Sequence, residues 1–263
     1  MNLIVFVKHV PDTAEADLSL APDGKAIKTA GLPYQMNEWD RFALEEAVQL
    51  KEKTGGTLTA FLLGPEESEE SLRRCLAVGA DRAVRIWDPI LETSGPLAVA
   101  PVLRAALGSA PFDLILCGAQ ASDDGYALVG PALAELLGIP SAALVNRLEV
   151  AGGKAVCTRE LEGGWGEVVE LDLPALVTIQ TGINEPRYVS ILGIKKARAK
   201  PIDLAGLAGL GVGPEAVAEW SGRLRLEGLE PPPPGKEAEI LSGSPEEVAK
   251  RFVAVLSEKG GVL

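Results

Sequence analysis

The sequence predicts an α/β fold: a doubly wound, mostly parallel sheet with added antiparallel strands and an extended C-terminal arm. Three observations carry this reading. Short β-branched apolar runs alternate with helix-period segments up to about residue 137, the pattern of strand–helix–strand units that build parallel sheets with helices on both faces. Beyond Pro140 the helical segments stop, and apolar runs face one another across Gly152-Gly153, a hairpin signal. From about residue 226 the chain turns proline-rich and ends in one amphipathic helix. The expected organisation is therefore an α/β domain over 1–225 and a linker with a C-terminal arm over 226–263.

Leu3 to Val7 is a continuous apolar run, as expected of a strand buried on both faces, and Pro11-Asp12-Thr13 is expected to end it. Residues 15–33 are polar around Pro22-Asp23-Gly24, a turn signal, and read as a long excursion that can close as a hairpin. Asn37 is placed to cap a helix from Glu38, with Trp39, Phe42, Ala43, Ala47 and Leu50 at helical spacing and Gly55-Gly56 as its stop. Thr57 to Leu63 reads as the second strand. Pro65 opens a helix whose first turns carry Glu66, Glu67, Glu69 and Glu70, where the helix dipole favours anions; Gly79 ends it. Arg82–Trp87 and Asp113–Cys117 read as strands around a helix over Pro96–Leu107, and Leu128–Leu137 as a further helix. Leu144–Val150, Lys154–Leu161, Val168–Leu171 and Ala175–Ile179 read as strands. The stretch 181–198 reads as a surface loop leading into a basic segment, either a plain connection or a partner site with a hydrophobic tip. Gly209-x-Gly211-x-Gly213 lacks the preceding strand of a dinucleotide fingerprint and reads as loop. Pro231 to Gly235 is a stiff extended linker, and Ser244-Pro245-Glu246-Glu247 starts a last helix with Val248, Phe252, Val255 and Leu256 on one face. Such a short helix must pack on its own domain or on a partner.

Composition narrows the function. The 263 residues are 47% hydrophobic and 24% charged, ordinary for a globular protein. The formal charge of -12 disfavours nucleic acid, and the one local reversal is Lys195, Lys196, Arg198 and Lys200. Three scattered cysteines and one histidine, His9, exclude a structural zinc site and suit a reducing cytoplasm. The first residues reach Lys8 too early for a signal peptide, and no apolar run is long enough for a membrane span.

The best ligand site is the loop from Gly118 to Pro131. It follows a strand and leads into a helix, so it offers backbone N–H groups and a positive dipole end to a phosphate. Asp123 and Asp124 would cap the turn or reach a ribose. Lys8 and His9 end the first strand and fall near the same edge. A Cys117–His9 nucleophilic pair lacks a third group.

Several segments together resemble the β (small) subunit of electron transfer flavoproteins. They are Val7 to Asp12, Met36 to Asp40 with Ala43 to Val48, Gly118 to Asp124, Thr158 to Gly164 with Leu173 to Thr178, and Asn184 to Tyr188. The match runs in order along nearly the whole chain. The resemblance implies a Rossmann-like adenine-nucleotide-binding fold and a heterodimer with an α subunit that carries the redox FAD. It also implies a structural AMP contacted by Phe6, Asn37, Glu38, Trp39, Asp40 and Leu63. The remaining AMP contacts would come from the loop residues Asp123, Asp124, Gly125, Tyr126, Ala127, Leu128, Val129 and Gly130. Trp39 would approach the FAD of the α subunit. The stretch with Asn184, Glu185, Pro186, Arg187 and Tyr188 would be the recognition loop for flavin-dependent dehydrogenases, such as acyl-CoA dehydrogenases of fatty acid oxidation. Ile191 or Leu192 would be its apolar anchor and Lys195 and Lys196 its charges, and the C-terminal segment would wrap the α subunit. Electrons would pass on towards the respiratory chain through a carrier that does no bond chemistry itself. The chain departs from the family at Glu38-Trp39 and at Leu128-Val129, where relatives place Pro-aromatic and Gln-Thr pairs; phosphate contacts would therefore be backbone N–H groups. Bifurcating members hold a second FAD in place of AMP, and a stand-alone adenine-nucleotide module is the other alternative.

Overall fold

The computed structural model describes residues 1–233, 235, 238 and 240–260. Pro234, within the expected linker, and residues 261–263 lie outside the described residues. The chain divides into two compact units, Met1–Glu227 and Gly228–Leu263.

The first unit is built on strands β1 (Asn2–Val7), β4 (Thr57–Leu63), β5 (Arg82–Ile86), β6 (Leu114–Gly118) and β10 (Ala175–Ile179), all parallel. The described sheet adds β7 (Ser141–Ala151), β8 (Lys154–Glu160), β9 (Gly166–Asp172) and β11 (Asp203–Ala205), in the order β11-β5-β4-β1-β6-β10-β7-β8-β9. β7, β8 and β9 form the expected antiparallel extension, turning at Gly152-Gly153.

Strand order reverses at β1, whose two neighbours β4 and β6 lead the chain in opposite directions, so the crevice between β1 and β6 is the switch point. Alternation along β1 feeds two cores. Leu3, Val5 and Val7 join the layer of α1 (Glu38–Thr54), α2 (Glu69–Val78) and α5 (Ile191–Ala199). Ile4 and Phe6 join the layer of α3 (Pro96–Leu107), α4 (Val129–Leu137) and α6 (Pro214–Ser221). This two-sided burial explains why the central strands read as unbroken apolar runs.

Several elements differ from expectation. The chain leaves the sheet at Lys8, not at Pro11: β2 (His9–Pro11) pairs antiparallel with β3 (Tyr34–Met36) in a separate ribbon. The excursion between them closes through a Leu20–Ile27 bridge around Pro22-Asp23-Gly24. β11 and α6 were not legible. β11 is three residues long and is a strand because it pairs with β5. The loop expected over 181–198 ends at Ser190, whose Oγ accepts the Gly193 N–H at 3.0 Å and starts α5. A Cβ on Gly193 would lie 2.4 Å from the Ala77 carbonyl oxygen, so the glycine lets α5 lie on α2. In the second unit α7 (Pro245–Gly260) begins in a capping box: Glu247 accepts the Ser244 N–H at 2.9 Å and Ser244 Oγ accepts the Glu247 N–H.

The start of α1 fixes the switch point. Asn37 precedes the helix as expected, but its side chain does not cap it. Its Nδ2 donates to the Gln120 carbonyl at 2.8 Å, and its Oδ1 accepts the Ser122 N–H at 3.1 Å. Asp40 is buried and bridges the two strand ends: Oδ2 accepts the Lys8 N–H at 2.7 Å and Oδ1 the Gly118 N–H at 2.9 Å. Gly118 has to be glycine, since a Cβ there would meet Asp40 Oδ1 at 2.4 Å. Burial pushes the Asp40 carboxyl from its ordinary 3.8 up to about 7, against the backbone donors that favour the anion.

Asp40→Asn would set an amide NH2 against a backbone N–H and leave a buried donor unmatched. We expect a loss of about 1–3 kcal/mol in urea unfolding. The folded-state pKa is raised, so the native state binds more protons than the unfolded state between the two values, and the Asp40 contribution falls as pH climbs from about 4 to about 7. The gap between wild type and variant should therefore narrow over that window. A gap constant with pH would contradict the raised pKa.

Candidate functional site

A cleft of about 960 Å³ opens at the carboxyl ends of β1, β4, β5 and β6. That lies near the top of the range for small-molecule sites, about 300–1,000 Å³. Phe6, Phe61, Leu63 and Leu133 give it apolar walls. The rim comes from the loop after β6, which the Asn37 side chain holds from both its carbonyl and its N–H side.

Of the residues expected at a nucleotide, Phe6, Asn37, Asp40, Leu63, Asp123, Asp124, Tyr126, Ala127, Leu128, Val129 and Gly130 line this cleft. Glu38, Trp39 and Gly125 do not. Glu38 is exposed, and Trp39 instead donates Nε1–H to Gln180 Oε1 at 3.1 Å, just past β10. Tyr34, Ser68, Trp87 and Glu92 line the cleft but were not singled out in the sequence. Trp87 was within reach, because it directly follows a parallel strand whose end marks the ligand edge.

Asp123 and Asp124 do not bond the start of α4. Lys8 Nζ holds them, at 2.7 Å from Asp123 Oδ1 and 2.9 Å from Asp124 Oδ2. Burial works against the Lys8 charge, but the two carboxylates outweigh it and hold its pKa above the ordinary value. Asp124 Oδ1 also accepts the Tyr126 N–H at 3.1 Å, an Asx turn. The turn leads to Ala127 at φ 53, a left-handed position that costs a non-glycine residue about 1 kcal/mol.

Past that residue the chain enters α4. Among the described residues, the N–H groups of Ala127, Leu128, Val129 and Gly130 meet no acceptor. They gather at the positive end of a helix dipole on the cleft wall, the arrangement that suits a phosphate. Gly130 brings the helix close to the sheet, since a Cβ there would meet Thr178 Cγ2 at 2.6 Å. His9 also faces the cleft; its Nδ1 lies 2.9 Å from Ser71 Oγ, its ring stacks on Tyr34, and burial lowers its pKa against the pull of Glu70 and Glu67. Cys117 is buried, and burial raises its thiol far above neutral pH, so it holds no thiolate. Among the described residues no cluster of side chains could hold a metal ion, and no helix is long and apolar enough to cross a membrane.

A second feature lies along α1. Arg187 clamps the 181–190 loop onto that helix, with Nε and Nη2 on Glu45 at 2.9 and 3.0 Å and Nη1 on Glu52 at 2.7 Å. Asn184 Nδ2 donates to the Phe42 carbonyl at 3.1 Å and to Glu46 at 3.0 Å. Burial would raise Glu45, but the Arg187 bonds outweigh it and lower its pKa; Glu46, bonded only by an amide, is raised by burial. Asn184 and Arg187 therefore fasten the loop from within. What the loop and the first turn of α5 turn outward is Tyr188, Ile191 and Leu192, at 98%, 88% and 61% exposure, with Glu185, Lys195 and Lys196 exposed beside them. Pro186 is half-buried against α1.

Comparison with known proteins agrees with this architecture. Residues 25–208 match the model of the electron transfer flavoprotein domain. The chain is 40% identical to the electron transfer flavoprotein subunit beta of Bacillus subtilis, with both chains covered in full. It is 38% identical to the corresponding subunit of Methylophilus methylotrophus, over 99% of this chain and all of that one. It is also 33% identical to the caffeyl-CoA reductase-Etf complex subunit CarD of Acetobacterium woodii, over 98% and 99% of the two chains. With a mostly parallel sheet wound from both sides, a cleft at its switch point and likeness along its whole length, this chain belongs to the electron transfer flavoprotein family, as a β subunit and an electron carrier rather than an enzyme.

Proposed function

We propose that the chain pairs with an α subunit carrying FAD, binds AMP as a structural ligand in the β1/β6 cleft, and docks flavin-dependent dehydrogenases through its 188–192 segment. Acyl-CoA dehydrogenases are the expected donors, and the respiratory chain the expected destination. The observation that supports the nucleotide is the run of four N–H groups without acceptors, from Ala127 to Gly130, beside apolar walls wide enough for a base.

In this reading the phosphate takes the backbone donors. No cationic side chain is needed for it, since Lys8 is committed to Asp123 and Asp124. Those acids, held in place by Lys8, supply acceptors for ribose hydroxyls. The flavin of the α subunit supplies the redox chemistry; this chain's part is to hold, orient and dock. Trp39, its ring fixed by Gln180, is proposed to lie against that flavin. The second unit supports the pairing: Phe252 and Val253 of α7 are exposed on a well-capped helix, which suits an arm whose apolar face is completed by the α subunit.

A second reading has a specific observation behind it. The cleft volume of about 960 Å³ is generous for a mononucleotide and would admit a dinucleotide, so the site could take a second FAD, as in bifurcating members of the family.

Acid release and chromatography of the purified heterodimer should give one AMP and one FAD; two FAD and no AMP would establish the second reading. The double variant Ile191→Ala, Leu192→Ala should slow electron transfer from an acyl-CoA dehydrogenase by at least about ten-fold, as expected for a hot spot, with flavin content unchanged. Transfer kinetics equal to wild type would remove the docking assignment.

A further inference from the structure

Beside the clamped loop, α1 and α2 enclose a recess of about 10 Å³ lined by Arg41, Glu45, Arg74, Pro186 and Arg187. Three arginines meet there around one acid, and that acid is already engaged. Glu45 accepts from the Arg187 backbone N–H, the Arg187 guanidinium and Gln49. The Arg187 guanidinium is in turn committed to Glu45 and Glu52. Arg41 and Arg74 are left over. Neither has an acidic partner among the described residues, and the Arg41 Nε is buried with no acceptor. Burial lowers the Arg74 pKa, and the Arg41 charge lowers it further. Two half-buried like charges and an unmatched N–H make an arrangement that costs the isolated fold free energy. In a chain of formal charge -12, acids to neutralise the pair are abundant, yet the acid that lines this recess, Glu45, is bonded to Arg187 instead.

The geometry points to Arg41 and Arg74 as a receptor for one carboxylate side chain of the docked protein partner, reached from the exposed 188–192 segment. A recess with room for about one water excludes a nucleotide. It suits one oxygen of an acid reaching in from outside, where two planar guanidinium groups can each donate. Pro186 and Arg187 wall the recess, and Tyr188 follows them at 98% exposure. An apolar anchor and a charge lock would then lie side by side, the anchor supplying contact area and the arginines orientation and encounter rate. α5 supports the same polarity with Lys195, Lys196 and Arg198, all exposed. This inference rests on the docking role proposed for that segment.

The test uses the intact heterodimer and an acyl-CoA dehydrogenase as electron donor. Arg41→Met with Arg74→Met should raise the KM for the electron-donating dehydrogenase about ten-fold with kcat nearly unchanged, and should flatten its dependence on ionic strength. The same variant should unfold at a temperature equal to or above wild type, since it removes the repulsion and the unmatched N–H. A lower unfolding temperature would mean that the arginines are structural and would overturn the proposal. If Ile191→Ala, Leu192→Ala slows transfer but the arginine variant does not, the receptor is wrong and the docking segment stands. If neither variant has an effect, both fail. Titration with inorganic phosphate, followed by the Arg41 Nε–H resonance, separates the remaining case: millimolar binding with unchanged dehydrogenase kinetics would make this a free-anion site and refute the partner carboxylate.

Discussion

The buried carboxylate of Asp40 stands where β1 and β6 part company. The strands pair in register up to Phe6 and Cys117. Past that pair the two chains diverge, and the N–H groups of Lys8 and Gly118 have no partner in the β1–β6 ladder. Asp40 takes both, one on each oxygen. A buried carboxylate is costly, and burial raises its pKa accordingly, but two orphaned backbone donors at the same spot would cost more. Asn37, three residues earlier, does the same for the next stretch by bonding Gln120 and Ser122. The first turn of α1 is thus a splint across the switch point. The cleft exists because the splint holds its lips apart.

That splint also explains which parts of the site could be read from sequence. Central strands and their helices were legible because burial on two faces leaves an unbroken apolar signature, and Gly55, Gly79 and Gly138 mark their ends with positive φ. Asn37 was legible as a helix-start residue, but not in its use; a cap and a tertiary splint require the same residue type. Asp123 and Asp124 were legible as acids on a ligand loop, while their partner Lys8 stands more than a hundred residues away. β11 and α6 were not legible at all. Three residues carry no period, and Asp203–Ala205 is a strand only because β5 offers it an edge.

The loop over 181–190 shows the same limit from the other side. Resemblance assigned Asn184, Glu185, Pro186, Arg187 and Tyr188 to docking as one block. The structure divides the block by direction. Asn184 and Arg187 point inward onto Glu46, Glu45 and Glu52, and Tyr188 points out. Motif matching cannot make that division, because it records which residues occur together and not which way each one faces. A loop that presents an apolar tip to a partner has to hold its own backbone still, or binding would have to offset the entropy of ordering it. The bidentate Arg187 contacts, on a partly exposed but multiply bonded guanidinium, suit that task.

Both features hang on one helix. α1 is 17 residues long, about 25 Å at 1.5 Å per residue. Its first turn holds the cleft open, and Glu45, Glu46 and Glu52 further along hold the loop. A ligand bound at the switch point favours the state in which Asn37 and Asp40 are in place, by RT ln(1 + [L]/Kd). The same state keeps α1 docked on β1 and β6, and so keeps Glu45 and Glu52 where Arg187 can reach them. If the cleft holds the proposed nucleotide and the segment docks as proposed, the nucleotide would matter to docking through stability alone. No second conformation is needed for this; the helix has only to be rigid between its two ends.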